Sequence, residues 1–441
     1  MKKYPAYKPS GIDWLGDIPE GWSTKKVKYL FKLETNPAPK HNSKELLSIY
    51  TDIGVRPRKD LEQKGNKAST TDGYWVVKKG DLIVNKLLAW MGAIGCSNYE
   101  GVTSPAYDIL SPRENTFSWF FHYLFRTKIC QTELKKRSRG IMEMRLRLYF
   151  SEFGDIKVPN LSFPEQQQIA SFLDKKTAQI DTLIEKKQKM LELLKEKRTA
   201  IINHAVTKGL NPNVKMKPSG IDWLGDIPEG WKVKPLKTLL KKGKEGIKIG
   251  PFGSSLKLEM MAESGFKVYG QENIIKDDFK VGQRYIDDQK FRELEVYEIK
   301  TGDIVVTMMG TTGKCKVIPT DFERGIMDSH LIRLRVSKKI IPNLVSLLIN
   351  DSYYLFTQLK LNSKGSIMEG LNSAIIKSLS ILLPPLPEQQ QIATFLDKKT
   401  AQIDKFMEMT NKQIELLKEY RTTLISDVVT GKVDVRDEVT A

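Results

Sequence analysis

The chain has 441 residues, 40% of them hydrophobic and 28% charged, with a formal net charge of +18. That length allows two to four domains, and no apolar run is long enough to cross a bilayer. Three scattered cysteines (Cys96, Cys130, Cys315) without a CxxC pair argue against a disulfide framework or a zinc site. The N-terminal MKKYPAYKPSG lacks the apolar stretch of a secretory signal. The expectation is a soluble, cytoplasmic protein with reduced thiols and a polyanionic partner, first of all nucleic acid.

In chain order, the first element is an opening segment, Lys8–Trp22, reading KPSGIDWLGDIPEGW; the same fifteen residues recur at Lys217–Trp231. Ile12, Trp14, Leu15, Ile18 and Trp22 interleave with Gly and Pro, which predicts an ordered, turn-rich stretch rather than a helix. Its tryptophans (Trp14, Trp22, Trp223, Trp231) are expected as core anchors. Residues 23–163 follow, beginning with strand-like runs such as YWVVKKGDLIV (Tyr74–Val84), where a Lys-x-Gly-Asp turn precedes a β-branched strand. A helical stretch comes later, at Asn115–Ser138. Residues 232–386 have the same plan, with YEIKTGDIVVTMMG at Tyr297–Gly310 and a helical stretch at Lys339–Leu361. Each segment therefore reads as an α+β domain, and beyond these turns the two share little sequence.

A long helix closes each half. PEQQQIASFLDKKTAQID (Pro164–Asp181) recurs at Pro387–Asp404 with only Ser171/Thr394 changed, and such long-period repetition decides the architecture. Ser162, Phe163, Pro164 and Glu165 fit a capping box with proline in the first turn. The helices are expected to run to about Thr207 and Thr430, ahead of the stop signals Gly209 and Gly431, as rods of roughly 60 Å. Leu173, Ile180, Ile184, Leu191, Leu194, Ile201 and Ala205 step by sevens, fours and threes. Leu396, Ile403, Met407, Ile414, Leu417, Leu424 and Val428 fall at the same places. Polar interruptions match too: Thr177/Thr400, Lys187/Thr410 and Arg198/Arg421. Such a seam predicts that the helices pair as an antiparallel coiled coil with pseudo-twofold symmetry, one α+β domain at each end. The domains are then 1–163, helix 164–210, 211–386, and helix plus tail 387–441.

Charge follows this division. Lys and Arg outnumber Asp and Glu 27 to 17 over residues 1–163 and 27 to 20 over 211–386. The ratio is 9 to 6 over 164–210 and 8 to 10 over 387–441. A uniformly basic, solubilising surface does not predict that segregation, and the two α+β domains are the expected nucleic-acid binders.

Motifs for chemistry are weak or missing. Gly310 to Lys314 lacks the spacing and the Ser/Thr of a phosphate-binding P-loop. The Gly250–Lys257 loop lacks the strand–helix context of a dinucleotide fingerprint. No Asn/Asp-Pro-Pro-Tyr/Phe tetrapeptide of the amino-methyltransferases occurs, and the four histidines (His41, His122, His204, His330) have no metal-ligand spacing. His122 and His204 lie in helical stretches and are expected to be structural. The chain is expected not to be an enzyme and to bind no cofactor or metal.

The opening SGIDWLGDIPEGW and the helix start PEQQQIA-S/T-FLD, each present twice, resemble the specificity (S) subunits of Type I restriction–modification systems. The resemblance covers the whole chain in order: recognition domain, helix, recognition domain, helix. It implies binding to double-stranded DNA and to two modification (M) subunits, which hold S-adenosylmethionine and methylate adenine. It also implies restriction (R) subunits, which use ATP and Mg in the complete endonuclease. Two unlike basic domains on a helical spacer would read a bipartite, asymmetric target, with phosphate contacts supplying affinity and base edges supplying choice.

Candidate DNA-binding residues in the first domain are Lys86 and Trp90 in the Asn85–Gly95 loop, together with Arg137, Arg139 and Arg145 near Gly140. Tyr107 is added because SPAY (Ser104–Tyr107) resembles a motif of some recognition domains in the family. In the second domain they are Ser254, Ser255, Lys257, Gln271, Asn273, Lys314, His330 and Lys364. Arg and Lys suit guanine, Asn and Gln suit adenine, and for each residue a phosphate contact or a solvated surface is the competing expectation. Two other assignments remain open at this point. One is the specificity subunit of a Type IIB-like system serving a fused methyltransferase–nuclease. The other is a tether that holds nucleic acid without reading sequence.

Overall fold

The two Lys-x-Gly-Asp turns are closed by their own aspartates. Asp81 accepts the Lys78 amide at 2.7 Å and Asp303 accepts the Lys300 amide at 2.8 Å. Each turn launches a fully buried strand. The computed structural model describes residues 2–60, 71–141, 145–221, 224–308, 313–362 and 373–439. The chain divides into two units, Met1–Gln188 with Asn411–Ala441, and Lys189–Thr410.

In the first unit a four-stranded sheet forms from β1 (Phe31–Glu34), β2 (Leu82–Asn85), β3 (Ile94–Cys96) and β4 (Tyr107–Pro112). Its order is β1-β4-β2-β3, with every neighbour antiparallel and Ile109 opposite Ile83. Helices α1 (Ser118–Phe125) and α2 (Lys128–Arg137) follow, α2 capped by the Thr127 hydroxyl on the Cys130 amide at 3.3 Å. Phe31, Phe120, Phe121 and Phe125 meet edge-on or tilted in the core, and the long helix α3 (Phe163–Lys208) adds Ile169, Phe172, Leu173 and Ile180 to it.

The second unit repeats this sheet with β5 (Ile247–Ile249), β6 (Ile304–Thr307), β7 (Cys315–Val317) and β8 (Leu331–Leu334), in the order β5-β8-β6-β7. Helix α4 (Pro342–Asp351) and the long helix α5 (Leu386–Val429) complete its core. This unit also holds a sheet of Tyr285–Ile286, Phe266–Tyr269, Gly325–Met327 and Glu298–Ile299 with a parallel pair at its centre. The first unit has the counterpart in two antiparallel pairs, Gly54–Pro57 with Leu47–Tyr50 and Gly101–Thr103 with Trp75–Val77, joined by a parallel bridge from Leu46 to Val102. The fold is thus two α+β domains in tandem, each followed by a long helix. All three cysteines are buried free thiols, and burial pushes those of Cys96 and Cys315 up to about 12. Among the described residues no helix is long and apolar enough to cross a membrane.

The long helices pair antiparallel inside each unit. In the first, Leu173, Ile180 and Ile184 of α3 share a core with Leu417, Leu424 and Val428 of α5. Arg421 pairs with Asp181 at 2.8 Å, and Lys187 donates to Gln413 at 2.7 Å. In the second, Ile201, Ile202 and Ala205 meet Ile392 and Leu396, and Arg198 reaches Asp404 at 3.0 Å and Asp351 at 2.7 Å. Ile403 and Ile414 are buried, whereas Leu191, Leu194 and Met407 are half-buried. The polar seam positions cost little, because Thr177 and Thr410 donate to the carbonyls of Leu173 and Phe406 one turn back, each at 2.7 Å.

The two sequence repeats are explained by how they meet. Each opening segment is a pair of short antiparallel strands, Tyr7–Pro9 with Asp17–Pro19 and Met216–Pro218 with Asp226–Pro228. The buried Trp22 indole donates to Glu165 at 3.0 Å, and Trp231 donates to Glu388 at 2.9 Å. Ser162 caps α3 through the Glu165 amide at 3.4 Å, but the Glu165 carboxylate does not complete a capping box; it serves Trp22 and the Tyr4 hydroxyl (2.9 Å). Gln166 is buried, accepts the Phe117 amide and donates to the carbonyls of Asn115 and Leu161. Gln389 does the same with Ile341, Lys339 and Pro384.

The tryptophans also meet a helix end. Gly431, at φ +79°, lies so close to Pro19 that a Cβ would sit 2.4 Å from its Cδ and 3.1 Å from Trp22; Gly209, at φ +78°, approaches Trp231 and Glu388. Each tryptophan therefore binds the start of one long helix and the end of the other. Trp14 packs at the edge of the first core, and Trp223 lies outside the described residues.

Glu165→Ala leaves two polar groups, the Trp22 indole and the Tyr4 hydroxyl, without their acceptor. Urea denaturation is expected to show a loss of about 2–3 kcal/mol, against roughly 1 kcal/mol for Glu388→Ala, which strands only the Trp231 indole.

Candidate nucleic-acid interface

With the order β1-β4-β2-β3, the loop after β2 and the segment leading into β4 meet at one end of the sheet. Asn85 ends β2, and its side chain accepts the Leu87 amide at 3.1 Å, turning the chain into the Lys86–Gly92 loop. Lys86 crosses to the other segment, donating to the Pro105 carbonyl at 3.1 Å and pairing with Asp108 at 3.3 Å. The Lys86 carbonyl accepts the Leu148 amide at 2.8 Å, which brings Arg139, Gly140 and residues 145–148 to the same place. Arg139 and Arg147 exchange backbone hydrogen bonds at 2.9 Å there, and Gly140 is needed because a Cβ would lie 2.7 Å from the Arg145 carbonyl oxygen. The Arg145 side chain is exposed, and Arg139, also exposed, pairs with Glu152.

Lys86, Trp90, Tyr107, Arg139 and Arg145 thus gather at one sheet end, in different states. Trp90 packs on the core, donates to the Leu87 carbonyl at 3.1 Å and lies 5.0 Å under the Lys135 ammonium, so it supports the loop rather than offering its face. Tyr107, opposite Asn85, packs on the small core of Leu47, Ile49 and Ile109, and burial raises its phenol pKa. Arg137 does not join the group. It pairs with Glu133 at 2.9 Å and lines a cleft with Trp14 and Asp155.

The second unit builds the same sheet end from different residues. Gly250 follows β5, donates to Leu331 at 2.9 Å, and lies so close to the Asp328 carbonyl that a Cβ would fall within 1.8 Å of its oxygen. Pro251 is buried next to it, and Phe252, Ser254, Ser255, Lys257 and Leu258 are exposed beyond. Asp328 holds this end together. Its carboxylate accepts the His330 amide at 2.9 Å and Arg284 at 3.2 Å, and its own amide donates to Tyr269. His330 is half-exposed, and its carbonyl accepts the Met308 amide at 2.9 Å, just beyond β6. Lys314, exposed, returns on the other arm of that hairpin, donating its amide to the Thr307 hydroxyl at 3.1 Å.

Gln271 follows Gly270, whose Cα abuts the Asp328 carboxylate and Arg284, and so borders the same end. Asn273 does not belong to it. Asn273 is buried, its carbonyl accepts the Gly270 amide at 2.9 Å, and its amide donates to Asp278 at 3.1 Å and Val281 at 2.7 Å. With every polar atom bonded inside the fold, it has nothing left for a base edge. Lys364 lies outside the described residues, as do Gly310, Thr311 and Thr312. Sequence reasoning missed Asp328, Arg284 and Asp108, whose roles depend on partners distant in the chain, and it missed Phe252, which an exposed ring on a glycine-bounded loop would have signalled.

Elsewhere, the half-buried His122 ring accepts the Cys96 amide on Nδ1 at 3.2 Å. Burial brings its pKa down to about 3, so it is a neutral structural residue, whereas His204 is exposed on α3.

A family model described as the Type I restriction modification DNA specificity domain matches residues 19–193 and again residues 228–416. The chain belongs to this family. Its two specificity domains are those built on β1–β4 and β5–β8. Among curated relatives, the Type I restriction enzyme MjaVIII specificity subunit of Methanocaldococcus jannaschii is 24% identical over 371 residues, covering 81% of either chain. The StySPI specificity subunit of Salmonella potsdam is 22% identical over 446 residues, covering 95% of this chain and 90% of its own. Among solved structures, a chain from work on assembly and conformational transition of the type I R-M system superposes with a TM-score of 0.67 at 13% identity. That match covers 94% of this chain and 99% of the other. The HsdS subunit of Thermoanaerobacter tengcongensis gives 0.57 at 15% identity, with coverage of 94% and 98%. At these identities the structures speak for the fold of the specificity domains.

The turn that sets β2, and with it Lys86, has a pH signature. Burial raises the Asp81 carboxyl to about 6, against the help of the Lys78 amide. A raised carboxyl pKa makes ionisation cost stability, so the wild type loses ground as pH rises from about 4 to about 6 and the full cost stands above that. Asp81→Asn keeps an acceptor for Lys78 and cannot ionise. Urea midpoints are expected to show little difference between the two proteins at pH 4 and a gain of roughly 1–3 kcal/mol for the variant at pH 7.

Proposed function

We propose that this chain is the non-catalytic, DNA-reading subunit of a Type I restriction–modification complex. Its two specificity domains read the two unlike halves of a bipartite, asymmetric target, and the paired long helices set the gap between them. The observation that carries the reading is the repeated sheet end. Both units gather loops at the same place in the same sheet, but Lys86, Arg139 and Arg145 stand in one where Ser254, Ser255, Lys257, Lys314 and His330 stand in the other. Equivalent platforms with different side chains are what two different half-sites require. The excess of Lys and Arg in the segments carrying those platforms suits the phosphate contacts that dominate affinity.

Two M subunits, holding S-adenosylmethionine, dock on the long helices in this proposal, and R subunits with ATP and Mg complete the endonuclease. Exposed apolar side chains at equivalent helix positions support M docking: Leu183 and Leu416 in the first unit match Phe406 and Leu193 in the second. The chain itself supplies no reacting group and no cofactor. Its chemistry is to choose the adenine that the M subunits receive.

Methylation sequencing of DNA from cells carrying the chain with its M subunits tests the reading, with a two-part motif expected. Replacing residues 23–163 by the equivalent segment of another specificity subunit is expected to change one half of that motif only. Adding one heptad to both helices, beside the Lys187–Gln413 contact, keeps the seam in register and lengthens the pair by about 10 Å. The gap should grow by about three base pairs, and an unchanged gap rejects the helical spacer. Leu193→Glu with Leu416→Glu is expected to abolish co-purification with M while the chain stays folded.

A further inference from the structure

The loop that follows β5 carries a side chain that the proposed reading leaves without a task. Phe252 is 80% exposed, and Leu258 on the same loop is equally so. Among the described residues only Ile141 exposes more of a large apolar side chain than these two. The loop is not loosely hung. Gly250 is jammed against the Asp328 backbone, Pro251 is buried, and the Ser255 amide donates to the Phe252 carbonyl at 2.8 Å, closing a tight turn over Gly253–Ser255. The ring is therefore thrust outward from a fixed base. Around it stand exposed Ser254, Ser255 and Lys257, and the same sheet end presents His330 and Lys314.

Resting on the reading of this sheet end as a DNA interface, we propose that Phe252 is a wedge that enters the base stack of the second half-site. The surroundings select this occupant. Phe252 and Leu258, flanked by hydroxyls and lysines, are too small an apolar patch for a protein interface, whereas hydroxyls and lysines are the groups that hold phosphates on either side of an opened step. Apolar wedges of Phe and Leu on firm supports unstack base steps, and ring–base stacking returns energy whatever the base, because every base has a π-face. The opening is least costly at a pyrimidine–purine step, so the second half-site, or the base pair beside it, is expected to contain one.

The test uses the full chain assembled with its M subunits and a duplex carrying the motif found by methylation sequencing. 2-Aminopurine is placed at successive positions of the second half-site. The wild-type complex is expected to raise its fluorescence at one step. Phe252→Ala is expected to abolish that signal and weaken binding about tenfold or more, while Phe252→Trp keeps both. Because the ring is exposed, neither variant should alter the unfolding midpoint or assembly with M. An alanine variant that binds within twofold of wild type overturns the wedge. So does a fluorescence rise that persists in that variant, an affinity loss reproduced by replacing thymine with uracil without any unstacking, or a failure to assemble with M. A wild-type chain that supports no methylation motif would instead defeat the DNA-reading assignment itself.

Discussion

The structure depends on one hydrogen bond made twice, from a buried indole to the carboxylate in the first turn of a long helix. Trp22 to Glu165 and Trp231 to Glu388 fasten each opening segment to the helix that leaves its domain, and the same tryptophans lie against the glycines that end the opposite helices. Neither contact tolerates much change. An indole N–H that is buried needs its acceptor, and a glycine at positive φ with no room for a Cβ has no replacement. This explains why the opening segment and the helix start are nearly identical in the two halves while the intervening domains diverge. The repeat is a joint, and joints must match on both sides.

The helix repeat consequently has less surface to spare for partners than its length suggests. Glu165, Gln166, Glu388 and Gln389 are spent inside the fold, where each glutamine ties down the loop entering α1 or α4. Outward on the helices stand charged and polar side chains, with a few exposed apolar ones among them such as Leu183, Leu193, Phe406 and Leu416. The domains, by contrast, spend their polar groups at one sheet end. There the frame is common (a carboxylate-closed turn, a buried strand, a loop) and the side chains carried on it are free to differ.

Much of this was legible from the residues alone, and the limits follow from distance along the chain. The seam from Leu173 to Ile201 and from Leu396 to Leu424 was readable because a seven-residue period is local, and so were the Lys-x-Gly-Asp turns and the helix stops at Gly209 and Gly431. The choice of Lys86, Arg139, Arg145, Lys257, Lys314 and His330 brought out residues that do meet at sheet ends. Asn273 looked like an adenine reader by type, but its amide caps a turn and is buried. Arg137 sits close in sequence to Arg139 but pairs with Glu133 and lines another cleft. Nothing local distinguishes an asparagine that turns inward from one that turns outward, since the acceptors it finds, here the Asp278 and Val281 carbonyls, are set by how the loop folds back.

By itself the sequence determined the number of domains, their class, the two long helices and the faces on which those helices pair, because repetition, turn chemistry and apolar period are all short-range signals. Only the tertiary structure decided which loops share a sheet end, that Asp328 and Asp108 organise those ends, and that each opening tryptophan holds the start of one helix and the end of the other. Those facts rest on strand order and on contacts between residues tens to hundreds of positions apart, where register and packing decide and local propensity does not.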